Sequence, residues 1–267
     1  MDASCRKRKS SIRSSPTRSS TPRSGSKGTA SFFEAAVLFL AAGLVSLAPF
    51  IRSARADQEH ARQRMVERHL KPRGIVDERV LAAMRKVPRH EFIHPEYREK
   101  AYSDSALPIA EGQTISQPYI VALMTESARL AQGDRVLEVG TGSAYQAAVL
   151  AEMAAEVYTI EINETLARRA KERLARLGYA NVHARPGDGY LGWPEAAPFD
   201  AILITAAAPR IPEPLLKQLK VGGRLVMPLG ENPLAQELVV LTKTDHGIER
   251  EVIAGVVFVP MTGAVRK

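Results

Sequence analysis

Arg135-Val-Leu-Glu-Val-Gly-Thr-Gly-Ser-Ala-Tyr145 packs a buried strand, a turn without side-chain bulk and a helix start into eleven residues. Val136, Leu137 and Val139 form the short apolar run of a strand covered on both faces, and the chain then turns at Gly140 and Gly142. Glycine tolerates positive φ and has no Cβ. A Gly-x-Gly turn leaving a parallel strand therefore lets a ligand approach the backbone, with amides of the following helix pointing toward it. A full dinucleotide fingerprint needs a third glycine where this chain has Tyr145. The next strand, Glu156-Val-Tyr-Thr-Ile-Glu-Ile162, supports a ligand nevertheless, because it brings Glu161 to a point 21 positions beyond Gly140, where a ribose-binding carboxylate belongs. The alternative is a purely structural turn beside an ordinary strand-end glutamate.

Outward from this stretch the pattern alternates as a doubly wound α/β domain does. Helices are expected at 144–154, 164–177 and 212–220, and strands at 181–185, 199–205, 222–229, 236–243 and 251–259. Gly187-Asp188-Gly189 follows the third strand, where Asp188 either accepts from an adenine amino group or closes a tight turn. The loop Ala206-Ala-Ala-Pro209 offers only small apolar residues. It lacks the Asn/Asp-Pro-Pro-aromatic segment with which amine and base methyltransferases hold a planar nitrogen.

Upstream, Val76, Val80, Leu81 and Met84 make an apolar helical stripe behind Asp77 as N-cap. His90-Glu-Phe-Ile-His94 matches a zinc-peptidase pattern, which needs both histidines on one helical face and the glutamate as base. Pro88 and Pro95 flank it and push the backbone out of the helical region, so a loop beside a strand-like segment is the competing reading. Residues 111–118 form a polar turn into a helix over 118–129, with Pro118 in its first turn. Ser116 either caps that helix or does chemistry.

The net charge of +8 flags nucleic acid or membrane until it is apportioned. Residues 1–56 hold ten Lys/Arg against Asp2 and Glu34, leaving 27 basic and 27 acidic residues beyond them. The globular part is neutral, which argues against a nucleic-acid partner. Residues 1–31 have the composition of a disordered segment. An uncharged run then extends from Ala35 to Ile51, followed by Ala54-Arg55-Ala56. That order predicts a secretory signal peptide cut before Asp57 and an exported, periplasmic enzyme. An uncleaved anchor through residues 32–51 and a cytoplasmic protein starting at Met65 are the alternatives. Cys5 lies in the leader, so the rest of the chain has no disulfide, thiolate metal site or cysteine nucleophile. The expected organisation is a leader over 1–56, a linker over 57–64, an N-terminal substrate-loop region over 65–130 and a nucleoside-binding domain over 131–267.

Residues 65–267 resemble the bacterial protein-L-isoaspartate O-methyltransferases. The likeness is carried by Gln113-Thr-Ile-Ser-Gln-Pro118, Leu137-Glu-Val-Gly-Thr-Gly-Ser143, Gly187-Asp-Gly189, Pro198-Phe-Asp-Ala-Ile202, Thr205-Ala-Ala-Ala-Pro209, Gly222-Gly-Arg-Leu225 and Phe258-Val-Pro-Met-Thr262. Ala144 departs from it, since the family usually has another glycine there. The resemblance implies a Rossmann-like class I methyltransferase with a small N-terminal helical and substrate-loop region. It also implies S-adenosylmethionine as methyl donor without a metal, and the free α-carboxylate of L-isoaspartyl residues in proteins and peptides as acceptor. By the same likeness Ser116 would orient the carboxylate, while Ile115, Gln117, Pro118 and Val121 would wall the transfer site. Gly140, Gly142 and Glu138 would contact the methionine moiety, Glu161 the ribose, Asp188 and Gly189 the adenine, and Thr262 the cofactor from the C-terminal segment. A monomer is expected. A carboxylate acceptor is already ionised near neutral pH, which fits the lack of a His or Cys dyad. A zinc peptidase built on His90, Glu91 and His94, and a non-catalytic nucleoside-binding module, remain the competing readings.

Overall fold

A computed structural model of the chain describes residues 56–232 and 234–266. The leader expected over 1–56, with its signal peptide or anchor, lies outside them but for Ala56. The expected linker at 57–64 is instead helical: α1 covers residues 56–65 and runs into a wider turn, Val66–Leu70, that buries Val66 and Leu70. Met65 and Ile75 are buried with them, so apolar burial rather than intrinsic propensity holds this segment in place.

Helix α2 (Glu78–Lys86) starts where its cap dictates, with Asp77 accepting from the Arg79 amide, and it buries Val80, Leu81, Ala83 and Met84. Val76 precedes the cap and is 77% exposed, so it does not join the stripe. A short hairpin follows, β1 (Leu107–Pro108) with β2 (Thr114–Ile115), so the segment expected as a plain polar turn contains a strand. Helix α3 (Pro118–Ser127) comes next, with proline in its first turn, where no amide donor is needed.

The remaining strands form one sheet: β3 (Arg135–Val139), β4 (Glu156–Glu161), β5 (Val182–Pro186), β6 (Phe199–Ile204), β7 (Leu219–Leu229), β8 (Gln236–Thr244) and β9 (Gly247–Val256). Their order is β5-β4-β3-β6-β7-β8-β9. The first five positions are parallel, whereas β7–β8 and β8–β9 pair antiparallel because no helix separates those strands. Helices α4 (Tyr145–Ala151), α5 (Glu164–Arg176) and α6 (Glu213–Gln218) are the crossovers among the parallel strands.

Strand alternation sorts the core into two layers. Val136, Ala201, Leu203, Val226, Leu238 and Val240 face the side carrying α2, α3 and α4. Leu137, Val139, Ile202, Ile204, Leu225, Met227, Val239 and Leu241 face α6. Both faces of the central strands are covered, which is why they read as continuous apolar runs. Residues 65–130 contribute to the first of these layers rather than forming a core of their own.

Connections from β3 leave toward β4 on one side, and the chain later returns to β6 on the other. Crevices at such a switch point, beyond the carboxyl ends of the strands, are where ligands bind in open α/β sheets.

Candidate active site

At the carboxyl end of β3 the turn is built as its glycines require. Gly140 and Gly142 have φ of 99° and 50°. A Cβ at Gly140 would come within 2.6 Å of Thr205 Oγ1, and that hydroxyl donates to Gly140 O at 2.6 Å. Ala144 also sits in the left-handed region, φ 70°, fully buried at the start of α4. An L-residue there costs roughly 1–2 kcal/mol relative to glycine, which the surrounding packing sustains.

Three carboxyls near the carboxyl ends of β3, β4 and β5 are held in different ways. Glu161, at the end of β4, accepts from the Gly142 amide at 2.8 Å and the Asn163 amide at 3.0 Å, and lines the cleft. Glu138 is wholly buried. Its Oε2 accepts from Thr159 Oγ1 at 2.6 Å, and Thr159 is bonded in turn to Thr141. Burial pushes the Glu138 carboxyl up to about 8, with the Glu161 charge adding to the shift; the Thr159 hydroxyl and the nearby Ala147 amide oppose it. Asp188 is different: its oxygens accept from the Tyr190 amide at 3.0 Å and the Ala264 amide at 2.7 Å, and it does not line the cleft. Its neighbour Gly189 does.

The cleft holds about 1070 Å³ of open space, mouth included. Of the residues singled out in the sequence, Ile115, Ser116, Val121, Glu138, Gly140, Gly142, Glu161, Gly189 and Thr262 line it. Gln117 and Pro118 do not. Pro118 is buried in α3, and the Gln117 amide turns away to donate to Asp104 Oδ2 at 2.8 Å and Asp104 O at 3.0 Å. Thr262 reaches the cleft because the C-terminal segment is stitched to the small-residue loop after β6, Ala207 N donating to Val259 O and Met261 N to Ala207 O, each at 2.8 Å.

Ser116 lies between β2 and α3. The N-cap position of α3 falls on Gln117, with no side-chain cap bond, so the serine does not cap the helix. Thr114, Ser116, Thr205 and Val259 line both this cleft and a second, adjoining one bounded by Arg73, Gln117, Tyr119, Gln236 and the end of β9. The serine loop is anchored from behind. Asp104 Oδ2 also accepts from Arg73 Nη1 at 2.7 Å, and the Arg73 guanidinium stacks 3.4 Å over the Tyr119 ring.

The zinc-peptidase pattern does not form its helix. Residues Arg89–Glu91 make a 3-10 turn, neither helix nor strand, with the Phe92 and Ile93 side chains buried. His90 Nδ1 bonds Tyr102 Oη at 2.7 Å, while His94 has an extended backbone and faces Glu96 at 3.5 Å. Two lining residues that sequence reasoning passed over are Thr205 and Gln146. Gln146 left one signal, a polar residue inside the apolar run Ala144–Ala151.

The fold and the cleft together define a class I methyltransferase: a mixed, mostly parallel seven-stranded sheet with a glycine turn and strand-end carboxylate at its switch point. Residues 60–266 match the family of protein-L-isoaspartate(D-aspartate) O-methyltransferases, and the chain belongs to that family. It is 57% identical over 198 residues to a protein-L-isoaspartate O-methyltransferase of Gloeobacter violaceus, covering 74% of this chain and 97% of that one. It is 59% identical over 208 residues to protein-L-isoaspartate O-methyltransferase 2 of Shewanella sediminis, covering 78% and 85%. Among solved structures, a protein-L-isoaspartate O-methyltransferase superposes with a TM-score of 0.69 at 32% identity, over 76% of this chain and 67% of that one. A β-aspartate methyltransferase of Plasmodium falciparum in complex with S-adenosyl-L-homocysteine gives 0.66 at 29% identity, over 75% and 98%. The activity is therefore S-adenosylmethionine-dependent methylation of isoaspartyl residues in protein repair.

Proposed function

We propose that the donor lies in the glycine-turn cleft, that the isoaspartyl chain enters by the adjoining cleft, and that Ser116 orients its free α-carboxylate where the two meet. The observation carrying this reading is that Ser116 lines both clefts while making no cap bond. The residues present fit a nucleoside with an aminoacyl tail: Glu161 keeps lone pairs for ribose hydroxyls beside the glycine turn, and Gly142 lines the cleft without a side chain. Bound there, S-adenosylmethionine supplies an electrophilic methyl group.

The chain's own contribution is position and dryness. Ile115 and Val121 wall the site, and a carboxylate needs no base to take the methyl group, so holding it in line is the main task. Ser116 donates a hydrogen bond to one carboxylate oxygen and leaves the other free. Gly189 and Thr262 close the adenosyl end, with Asp188 acting through the C-terminal segment rather than on the base. Ester release as succinimide needs no residue. The protein acts as a monomer and without a metal, and the leader carries it outside the cytoplasm.

Ser116→Ala tests the assignment: turnover of an isoaspartyl peptide should fall about 10- to 100-fold, with the dissociation constant for S-adenosylhomocysteine changed less than about twofold. Equal losses in both, or a lower melting temperature with normal turnover, would refute it.

A further inference from the structure

The cleft adjoining the donor site has one charged side chain in its lining, Arg73. That guanidinium is already paired with Asp104 at 2.7 Å and stacked over the Tyr119 ring. Charge is therefore not what this cleft chiefly offers a ligand. It offers apolar surface open to water. Beyond β9 the burial alternates: Val256 and Phe258 are buried, while Val257 between them is 70% exposed and lines the cleft. Gln236, bonded to Phe258 N and O, holds that stretch of chain in place.

Leu234 lines the same cleft and is 84% exposed, more than any other large apolar residue among those described. Its backbone is set by a local turn, in which Asn232 Oδ1 accepts from the Leu234 amide at 2.9 Å and Asn232 O from the Ala235 amide at 3.0 Å. Apolar side chains scattered singly over a surface need no explanation. Here two of the three most exposed large ones meet at one cleft, and it is the cleft that Ser116 also lines.

We propose that Leu234 and Val257 are specificity-determining residues that take up an apolar side chain flanking the isoaspartyl residue, so that acceptors with such a neighbour are selected over those with a polar one. This rests on the entry path proposed above, since a chain whose carboxylate is held at Ser116 carries its adjoining residues along this lining. Covering the pair with an apolar group removes their surface and its own from water, whereas a polar neighbour gains nothing there.

A set of isoaspartyl peptides, assayed with the full chain, tests it: serine fills the flanking positions, and leucine replaces one serine at a time. At one position or more, leucine should raise kcat/KM about fivefold, part of what full burial of a leucine side chain provides. Leu234→Ser combined with Val257→Thr should bring the leucine-to-serine ratio to within about twofold of unity, as the apolar cover is lost. Both positions are exposed, and Leu234→Ser alone is read the same way should the double variant fail to fold. No gain from leucine at any position would overturn the proposal. So would a wild-type dimer that separates in the double variant, which would assign the pair to a second copy of the chain. A ratio that survives in the variants, even with both peptides slowed, overturns this inference alone when Ser116→Ala lowers turnover; when Ser116→Ala is inert, the entry path falls with it.

Discussion

A carboxyl group shut away from water with one hydroxyl donor and a second carboxylate nearby ionises late, and Glu138 is held at about 8. In the empty enzyme near neutral pH it is mostly the neutral acid. The titratable group acting on it is Glu161 from β4; its β4 and β6 register partners, Thr159 and Leu203, do not titrate in this range. A cation arriving beside Glu138 lowers its pKa, so binding below about pH 8 expels a proton and affinity rises with pH until that value is passed. S-adenosylhomocysteine titrated between pH 6.5 and 8.5, in buffers of different ionisation heat, should show proton release in the wild type and little in Glu138→Gln. The same release in both would remove Glu138 from the linkage. The sign for stability is opposite: the unfolded chain gives up this proton near 4.5, so the empty fold loses stability as pH climbs from there toward 8.

Among the elements, the β2–α3 connection depends most on a single residue behind it. Asp104 holds the Gln117 side chain, lies 3.4 Å from the Tyr119 amide and pairs with Arg73, yet it lines neither cleft. Asp104→Ala should therefore lower turnover about 10- to 100-fold by letting the serine drift, with S-adenosylhomocysteine affinity nearly unchanged and partial recovery in Asp104→Asn. Parallel loss of donor affinity would show the loop to be part of the donor site instead. None of this clamp was legible in the sequence, because Arg73, Asp104 and Gln117 are brought together only by tertiary packing. What was legible came from local chemistry. The apolar runs of β3 and β6, the Asp77 cap and the glycine turn each declare themselves within a few residues. Glu161 could be placed because parallel register brings strand ends together, Val139 opposite Ile160. Asp188 reads as an adenine acceptor or a turn residue; its bond to the Ala264 amide, 76 positions away, left no local signal. The antiparallel edge was marked by the short gaps between the strands expected at 222–229, 236–243 and 251–259, which leave no room for a crossover helix.

For the molecule as a whole, the cleft is closed by the segment that follows β9, residues 259–262. Gln236 grips Phe258 through its side-chain amide, the oxygen accepting from Phe258 N and the nitrogen donating to Phe258 O, while the small-residue loop holds 259–261 and Asp188 holds the turn after Thr262. Asp188→Ala should loosen this segment, so that amides of 259–266 exchange faster and S-adenosylhomocysteine binds about tenfold more weakly. Weaker binding with unchanged exchange would put the carboxylate on the ligand after all. The same closure sets an order of events during synthesis. Folding on the ribosome proceeds from the amino terminus, and a nascent chain that has emerged only through β9 has its glycine turn and serine loop but lacks the wall formed by Val259, Pro260, Met261 and Thr262. The donor site is therefore completed only when residues 259–262 have emerged, and a chain stalled before them cannot hold the methyl donor as one that includes them does.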